Sequence, residues 1–297
     1  MDEGYRAKQS VAGNSRDSIV AGSDAHKALF CAELLDTHDP YQPAILKWPV
    51  LDHAARERLV ALPIWNMAIQ VEEKATRRIL AYTEGVEDPL LNKALRLMAF
   101  EEGRHKEVLL HLIAAYGIER AAEAPYIRPH DPEYDFMVTG FSECIDSFFA
   151  FGLFEIARRS GFFPAELVNT FEYVIQEEGR HILFFINWVH WRIRNLPWWR
   201  RILFRAKIAR VWLFLIWERI ELARGAGGED NNFAMTGATS LGSSFDFAQI
   251  LDICLAENDR RLGRYDSRLL RPMLVPSLVR FVRKFLRASR KATVAAD

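Results

Sequence analysis

Two stretches decide how this chain is read: "LMAFEEGRHKEVLLHLIAAYG" at 97–117 and "FEYVIQEEGRHILFFINWVH" at 171–190. Each holds the pentapeptide EEGRH, at 101–105 and 177–181, inside a run whose apolar residues recur every three or four positions. That period is helical. Taking carboxylates and imidazoles into a helix core is costly unless something pairs with them, so the repeated pentapeptide asks for a partner.

On either side of these runs the same period continues, broken by Gly and Pro, and it predicts an all-α chain. Four helices are expected at about 59–84, 88–116, 133–160 and 164–196. "GVEDP" and "GFFP" are short enough to join them as two antiparallel hairpins. The middle connection, "IERAAEAPYIRPHDP" at 118–132, reaches roughly 50 Å when extended. A helix of the second one's length spans about 42 Å, so this connection can cross the bundle from end to end.

Beyond 196 the pattern gives a fifth helix, a polar loop "GAGGEDNNFAMTGATSLGSS", a sixth helix and a basic last one. The loop's glycines lack the G-x-G-x-x-G spacing and preceding strand of a dinucleotide site, so it is given no cofactor role. The expected organisation is a disordered, polar segment at 1–25 and one helical domain at 26–297, in which 59–195 form the bundle and 196–297 are accessory.

A formal net charge of zero argues against nucleic acid as a partner. The three cysteines, Cys31, Cys144 and Cys254, are far apart and suggest neither a disulfide framework nor a thiolate metal site. Nothing reads as a signal peptide, and the best apolar run, "VWLFLIW" at 211–217, is far below the roughly 20 residues of a membrane span. A cytoplasmic location follows as the expectation. Two segments, 192–210 and 271–291, each carry seven Lys or Arg and no acid, with Trp198 and Trp199 beside the first. Such helices suit an anionic membrane surface, here the inner face, an acidic partner protein, or packing across the bundle.

Glu102 and His105 are three residues apart, as are Glu178 and His181, so each pair projects from one helix face. Two facing pairs can hold two divalent ions roughly 3.5–4 Å apart. More carboxylate must come from the hairpin partners. On the first helix Glu72, with Ala68, Ile69, Ala75 and Thr76 as its neighbours, faces inward. On the third, superposing the hairpins puts Phe148 where Glu72 would be, and Glu155 lies about 10 Å too near the loop. Glu143 is the preferred ligand if a π-bulge swings it round, with Asp146 second. The plain alternative is that EEGRH forms an ion-pair network on a solvated helix face.

One Glu on each of helices one and three, with Glu-x-x-His on helices two and four, resembles the ferritin-like carboxylate-bridged di-iron proteins. The fuller acid-Glu-x-Arg-His motif is similar to that of acyl-carrier-protein desaturases and bacterial multicomponent monooxygenases. The resemblance covers 59–195. It implies a ferritin-like four-helix bundle with additional C-terminal helices and two iron ions, manganese being the alternative. It also implies that Glu101 orients His181, that Glu177 orients His105, and that Arg104 and Arg180 neutralise those outer carboxylates.

The function expected on this basis is an oxygen-dependent di-iron oxidoreductase, a hydroxylase, N-oxygenase or desaturase acting on a small apolar or lipid-like substrate. Phenylalanines such as Phe148, Phe154, Phe171 and Phe185 supply a core, some of which must line the approach to the metals. No flavin, haem or iron–sulfur signature is present, so electrons come from a separate reductase or ferredoxin. The competing reading is a ferritin- or rubrerythrin-like protein of iron handling or peroxide scavenging. A homodimer is compatible with either.

Overall fold

The computed structural model describes residues 19–122, 125, 127–224 and 245–294. Among them are ten α-helices and no strand: α1 (Asp24–Asp36), α2 (His53–Ala61), α3 (Trp65–Thr83), α4 (Pro89–Tyr116), α5 (Pro132–Ser160), α6 (Ala165–Thr170), α7 (Glu172–Asn195), α8 (Trp198–Ala223), α9 (Phe247–Leu262) and α10 (Leu274–Val294). The polar loop expected after the fifth helix falls on 225–244, outside the described residues, as do residues 1–18. Helix α1 begins within the segment expected to be disordered.

The sequence signals at the ends of α4 and α5 do what they should. Asp88 and Asp131 cap their N-termini by accepting from Leu91 N and Tyr134 N. Pro89 and Pro132 follow in the first turn, where a missing N–H costs nothing. Gly117 and Gly161 close them with left-handed φ of 69° and 64°.

Two of the expected helices are broken. Pro63 holds Leu62 extended, at φ −72° and ψ 119°, and separates α2 from α3. Trp65 Nε1 then donates across the break to Leu59 O at 2.8 Å. The fourth helix is interrupted at Phe171, between α6 and α7.

Helices α3, α4, α5 and α7 form the bundle. Arg104 reaches Glu177 while Arg180 reaches Glu101, so α4 and α7 run antiparallel. Arg78 faces Thr139 and Tyr82 stacks on Phe136, so α3 and α5 do too. Helices α4 and α5 are therefore parallel, and their connection must travel the length of the bundle. It does: Glu119 O accepts from Asn66 at the start of α3, and Arg128 pairs with Glu84 at its end. One long crossover is the ferritin-like topology.

The remaining helices are layered on this frame. Helix α1 lies across α4 and α7, with Phe30 edge-on to Phe184 at 5.3 Å. Helix α9 lies against α5 so closely that a Cβ on Gly152 would come 2.3 Å from Cys254 Sγ. Phe185 crosses Gly140 in the same way, 2.2 Å from where a Cβ would stand. Helix α8 packs on α5 and α7, and α10 on α9 and α5. By length and composition α5 could span a bilayer, contrary to the expectation that no segment could; 67% of its apolar window is buried inside the molecule, as befits the central helix.

Candidate metal centre

Helices α4 and α7 bring the two pentapeptides face to face, with the rings of His105 and His181 centred 5.6 Å apart. Ligand atoms of Glu102, His105, Glu178 and His181 all lie within 4.8 Å of one another. Each inner glutamate reaches toward the histidine of the opposite motif: Glu178 Oε1 is 3.1 Å from His105 Nδ1, and Glu102 Oε1 is 2.8 Å from His181 Nδ1. Glu102 Oε2 is also 3.8 Å from His105 Nδ1, so this carboxylate sits between both imidazoles. Glu72, from α3, stands 3.5 Å from His105 Nδ1.

Glu143 joins the cluster from α5, and this corrects the register read from the sequence. Helix α5 is regular α-helix through this region, with no π-bulge. Glu143 lies on the stripe Thr139, Glu143, Ser147, Ala150, Phe154, Ala157 that faces the bundle interior. The second hairpin is not a copy of the first: Glu143 stands 18 residues before Gly161, whereas Glu72 stands 13 before Gly85, and the return helix of the second hairpin is broken at Phe171. Phe148 faces α9 instead, beside Leu251 and Cys254. Of the two other acids weighed, Asp146 pairs with Arg219 at 3.2 Å and Glu155 with Arg158 and Arg159 at 2.6 Å.

The outer ring is closed on itself. Glu177 Oε2 is 2.9 Å from His105 Nε2, and Glu101 Oε2 is 2.8 Å from His181 Nε2. Arg180 donates to Glu101 at 2.5 Å, and Arg104 donates to Glu177. These bonds leave both Nδ1 atoms directed at the cluster. Burial opposes ionisation of Glu101, but the His181 hydrogen bond and the charges of His181 and Arg180 hold its carboxyl well below the usual range. His38, Glu101 and Glu177 also lie close enough to hold an ion, but the two guanidiniums already neutralise these carboxylates.

Residues 34–41, just after and within the end of α1, complete this ring. His38 Nδ1 is 2.5 Å from Glu101 Oε1, Tyr41 OH donates to Glu177 at 3.4 Å, and Arg104 stacks on the Tyr41 ring at 3.9 Å. The carbonyls of Leu34, Asp39 and Tyr41 accept from Arg180 and Arg104. Sequence reasoning missed all of these. "DTHDPYQP" at 36–43 has no periodicity and lies more than 60 residues from the first motif it serves. Ser147, which donates to Glu178 at 3.3 Å, was missed for a similar reason.

The inner cluster is short of positive charge. Burial, then the crowding of Glu178 and Glu72, pushes Glu102 well above its ordinary value; burial, then Glu102 and Glu178, does the same to Glu143. His105 Nδ1, His181 Nδ1, Glu102 Oε1 and both carboxylate oxygens of Glu143 are buried without a hydrogen-bond partner among the described residues. His181 Nδ1 and Glu102 Oε1 are near neighbours, yet they lack hydrogen-bond geometry. Four carboxylates and two imidazoles so arranged fit hard-to-borderline divalent cations such as iron or manganese.

A cavity of about 380 Å³ opens onto this cluster. Near the ligands its wall includes Ala68, Ala75, Ser147 and Ala150; farther along, Leu62, Trp65, Phe154, Phe163 and Leu167 make it apolar. Phe214, Leu215, Glu218 and Arg219 of α8 form another part of the wall.

No curated protein and no solved structure matches the chain at a significant level. Residues 64–145 match the family model described as Rubrerythrin, a stretch that takes in Glu72, Glu102, His105 and Glu143 and stops before α7. With its all-helical crossover bundle and the carboxylate–histidine cluster at its centre, the chain has a ferritin-like fold, and its residues 64–145 are similar to the rubrerythrin family, a ferritin-like di-iron family.

Proposed function

We propose that this protein is an oxygen-dependent di-iron oxidoreductase, a hydroxylase, N-oxygenase or desaturase, acting on an apolar or lipid-like substrate. The observation that carries the reading is the cavity, whose apolar far end leads directly to Glu72, Glu102, Glu143 and Glu178. A protein that only stores iron has no need of an organic-sized pocket at its metals; about 380 Å³ is within the range of small-molecule sites.

Glu72 with His105 and Glu143 with His181 would each hold one metal, with Glu102 and Glu178 between the two. When bound, such a pair supplies two-electron chemistry with dioxygen. The chain's own residues do the rest. Glu101 and Glu177 fix the imidazole orientation and keep the Nε2 protons, Arg104 and Arg180 balance those outer charges, and the leucines and aromatics of the far end exclude water around a bound substrate. Reducing equivalents would come from a separate reductase or ferredoxin.

Iron handling or peroxide scavenging is the second reading, favoured by the family match over 64–145. Excess ferrous iron with dioxygen separates the two. Oxidation that stops near about two equivalents per chain, together with an oxidised organic product when apolar candidates are supplied, is the expected result. Continued turnover of iron with no organic product would overturn the oxidoreductase reading.

A further inference from the structure

Helix α8 has two apolar faces, and among the described residues the fold covers only one. Its inner face seats Phe204, Val211 and Leu215 in the core. The outer face carries Ile202, Ala206, Ala209, Leu213, Ile216 and Ile220 at successive spacings of four and three, a continuous stripe along the helix. Trp198, Trp199, Leu203 and Trp217 widen it. Exposure of its large members runs from 43% at Ile220 to 73% at Trp198. A contiguous apolar strip of this kind on a folded surface marks an interaction site.

The charges beside the stripe select the occupant. Exposed Arg205 lies on one flank and exposed Arg210 on the other, with Arg200 and Arg201 at the N-terminal end. The acids of the helix, Glu218 and Glu221, are confined to its C-terminal end, and Glu218 lines the cavity. Pairing with a second copy through this face would bring together two sets of Arg200, Arg201, Arg205 and Arg210, against Glu221, which is already paired with Arg224. An anionic bilayer offers what the face lacks: a hydrocarbon boundary for the isoleucines, an interface for the exposed tryptophans, and lipid phosphates for the arginines. Helix α10 repeats the pattern, with Leu274, Leu278, Phe281 and Phe285 exposed and Lys284 beside them.

We propose that the outer face of α8 docks this protein on an anionic membrane surface, with α10 as a second basic apolar contact. The docking requires nothing of the metal centre. It does place the wall formed by Phe214 and Leu215 one helix away from the bilayer, so an apolar substrate dissolved there has a short path to the cavity.

Flotation of the full-length protein with vesicles of phosphatidylcholine alone, or of phosphatidylcholine with phosphatidylglycerol, tests this. The expected result is binding to the anionic vesicles only, weakened by high salt. Leu213→Glu with Ile216→Glu, and separately Arg205→Ser with Arg210→Ser, should each lower the bound fraction by roughly ten-fold or more. Circular dichroism and metal content should stay as in the parent, since all four side chains are exposed; should the glutamate pair misfold, Ile202→Glu replaces it. Absence of the parent from both vesicle types, or binding that the folded variants retain in full, would overturn the proposal. So would a dimer in sedimentation velocity that Leu213→Glu with Ile216→Glu dissociates, because a second copy would then be the occupant.

Discussion

Glu177 Oε2 stands 2.9 Å from His105 Nε2 across 72 residues of sequence, and the reciprocal pair, Glu101 and His181, is 2.8 Å apart. The hydrogen bond fixes which imidazole nitrogen is left to bind a metal. Glu177→Gln and Glu101→Gln should therefore keep the helical fold while weakening ferrous binding by roughly 10- to 100-fold. Competition against a chelating dye measures this; an unchanged affinity in both variants would return these acids to a purely structural ion-pair role.

Glu143 and Asp146 are one turn apart on α5 and are expected to behave oppositely. Glu143→Gln should lower the metal content after ferrous reconstitution, because its two buried oxygens have no hydrogen-bond partner among the described residues. Asp146→Asn should leave metal content unchanged, because Arg219 and Ser142 already hold that carboxylate. Elemental analysis of the two variants side by side decides the assignment.

The bundle and the pentapeptides were legible because everything that defines them is local: the helical period, Asp and Pro at a helix start, Gly at its end, and Glu-x-x-His on adjacent turns. Glu143 stands beside the cluster, but not in the way the sequence suggested. The π-bulge invoked for it is absent, and the two hairpins do not superpose, because α5 sets Glu143 18 residues before its loop glycine where α3 sets Glu72 13 before its own. Pro63 was a visible breaker inside a strongly helical pattern, and there its fixed φ and missing N–H prevailed over the flanking periodicity. His38 and Tyr41 were invisible because an irregular segment takes its position from the surfaces it lands on.

The motif's two glycines should respond differently to alanine. A Cβ at Gly103 meets nothing nearer than Thr76 at 3.8 Å, so Gly103→Ala should stabilise the protein by up to about 1 kcal/mol through helix propensity. At Gly179 the Tyr265 hydroxyl would be 3.1 Å away, and that hydroxyl donates to Gln176 O. Gly179→Ala should lose most of that gain. Gly152→Ala, against Cys254, should instead cost about 1–3 kcal/mol. Urea denaturation of the three variants gives the ranking directly.

Filling the cavity should separate ligand space from metal space. Ala68 lies on the cavity wall one turn before Glu72. Ala68→Phe is expected to retain metal but lose most of the fluorescence that Nile red gains on entering an apolar pocket. A variant that binds the dye as the parent does would show that the dye, and the apolar volume it reports, lies elsewhere.

The seat of α1 should depend on pH through His26. Its Nδ1 accepts from Gly22 N at 3.1 Å, so the neutral ring carries its proton on Nε2 and donates to Asn187 Oδ1 at 2.7 Å. Burial, with His190 nearby, holds its pKa below the ordinary 6.5, against the raising effect of Asn187. Protonation is therefore easier in the unfolded chain. This part of the stability should be fully present above about pH 6.5 and lost as the pH falls through that value toward the depressed one. Hydrogen exchange at α1 amides between pH 8 and 5 should show earlier opening at the acid end, and His26→Gln should flatten the trend.

The crossing of α1 over α4 and α7 also dictates when the protein can become functional during synthesis. Leu34 O accepts from Arg180, 146 residues farther along, and His38 meets Glu101 after 63. Helix α1 can meet α4 early, but its seat is completed only when α7 follows, and contacts so distant in sequence form late. A nascent chain that ends before α7 has one complete hairpin, yet Glu101 faces no histidine from the opposite motif and Arg104 no Glu177. Metal capture is thereby tied to completion of the bundle, and a half-made chain is spared a half-made iron site.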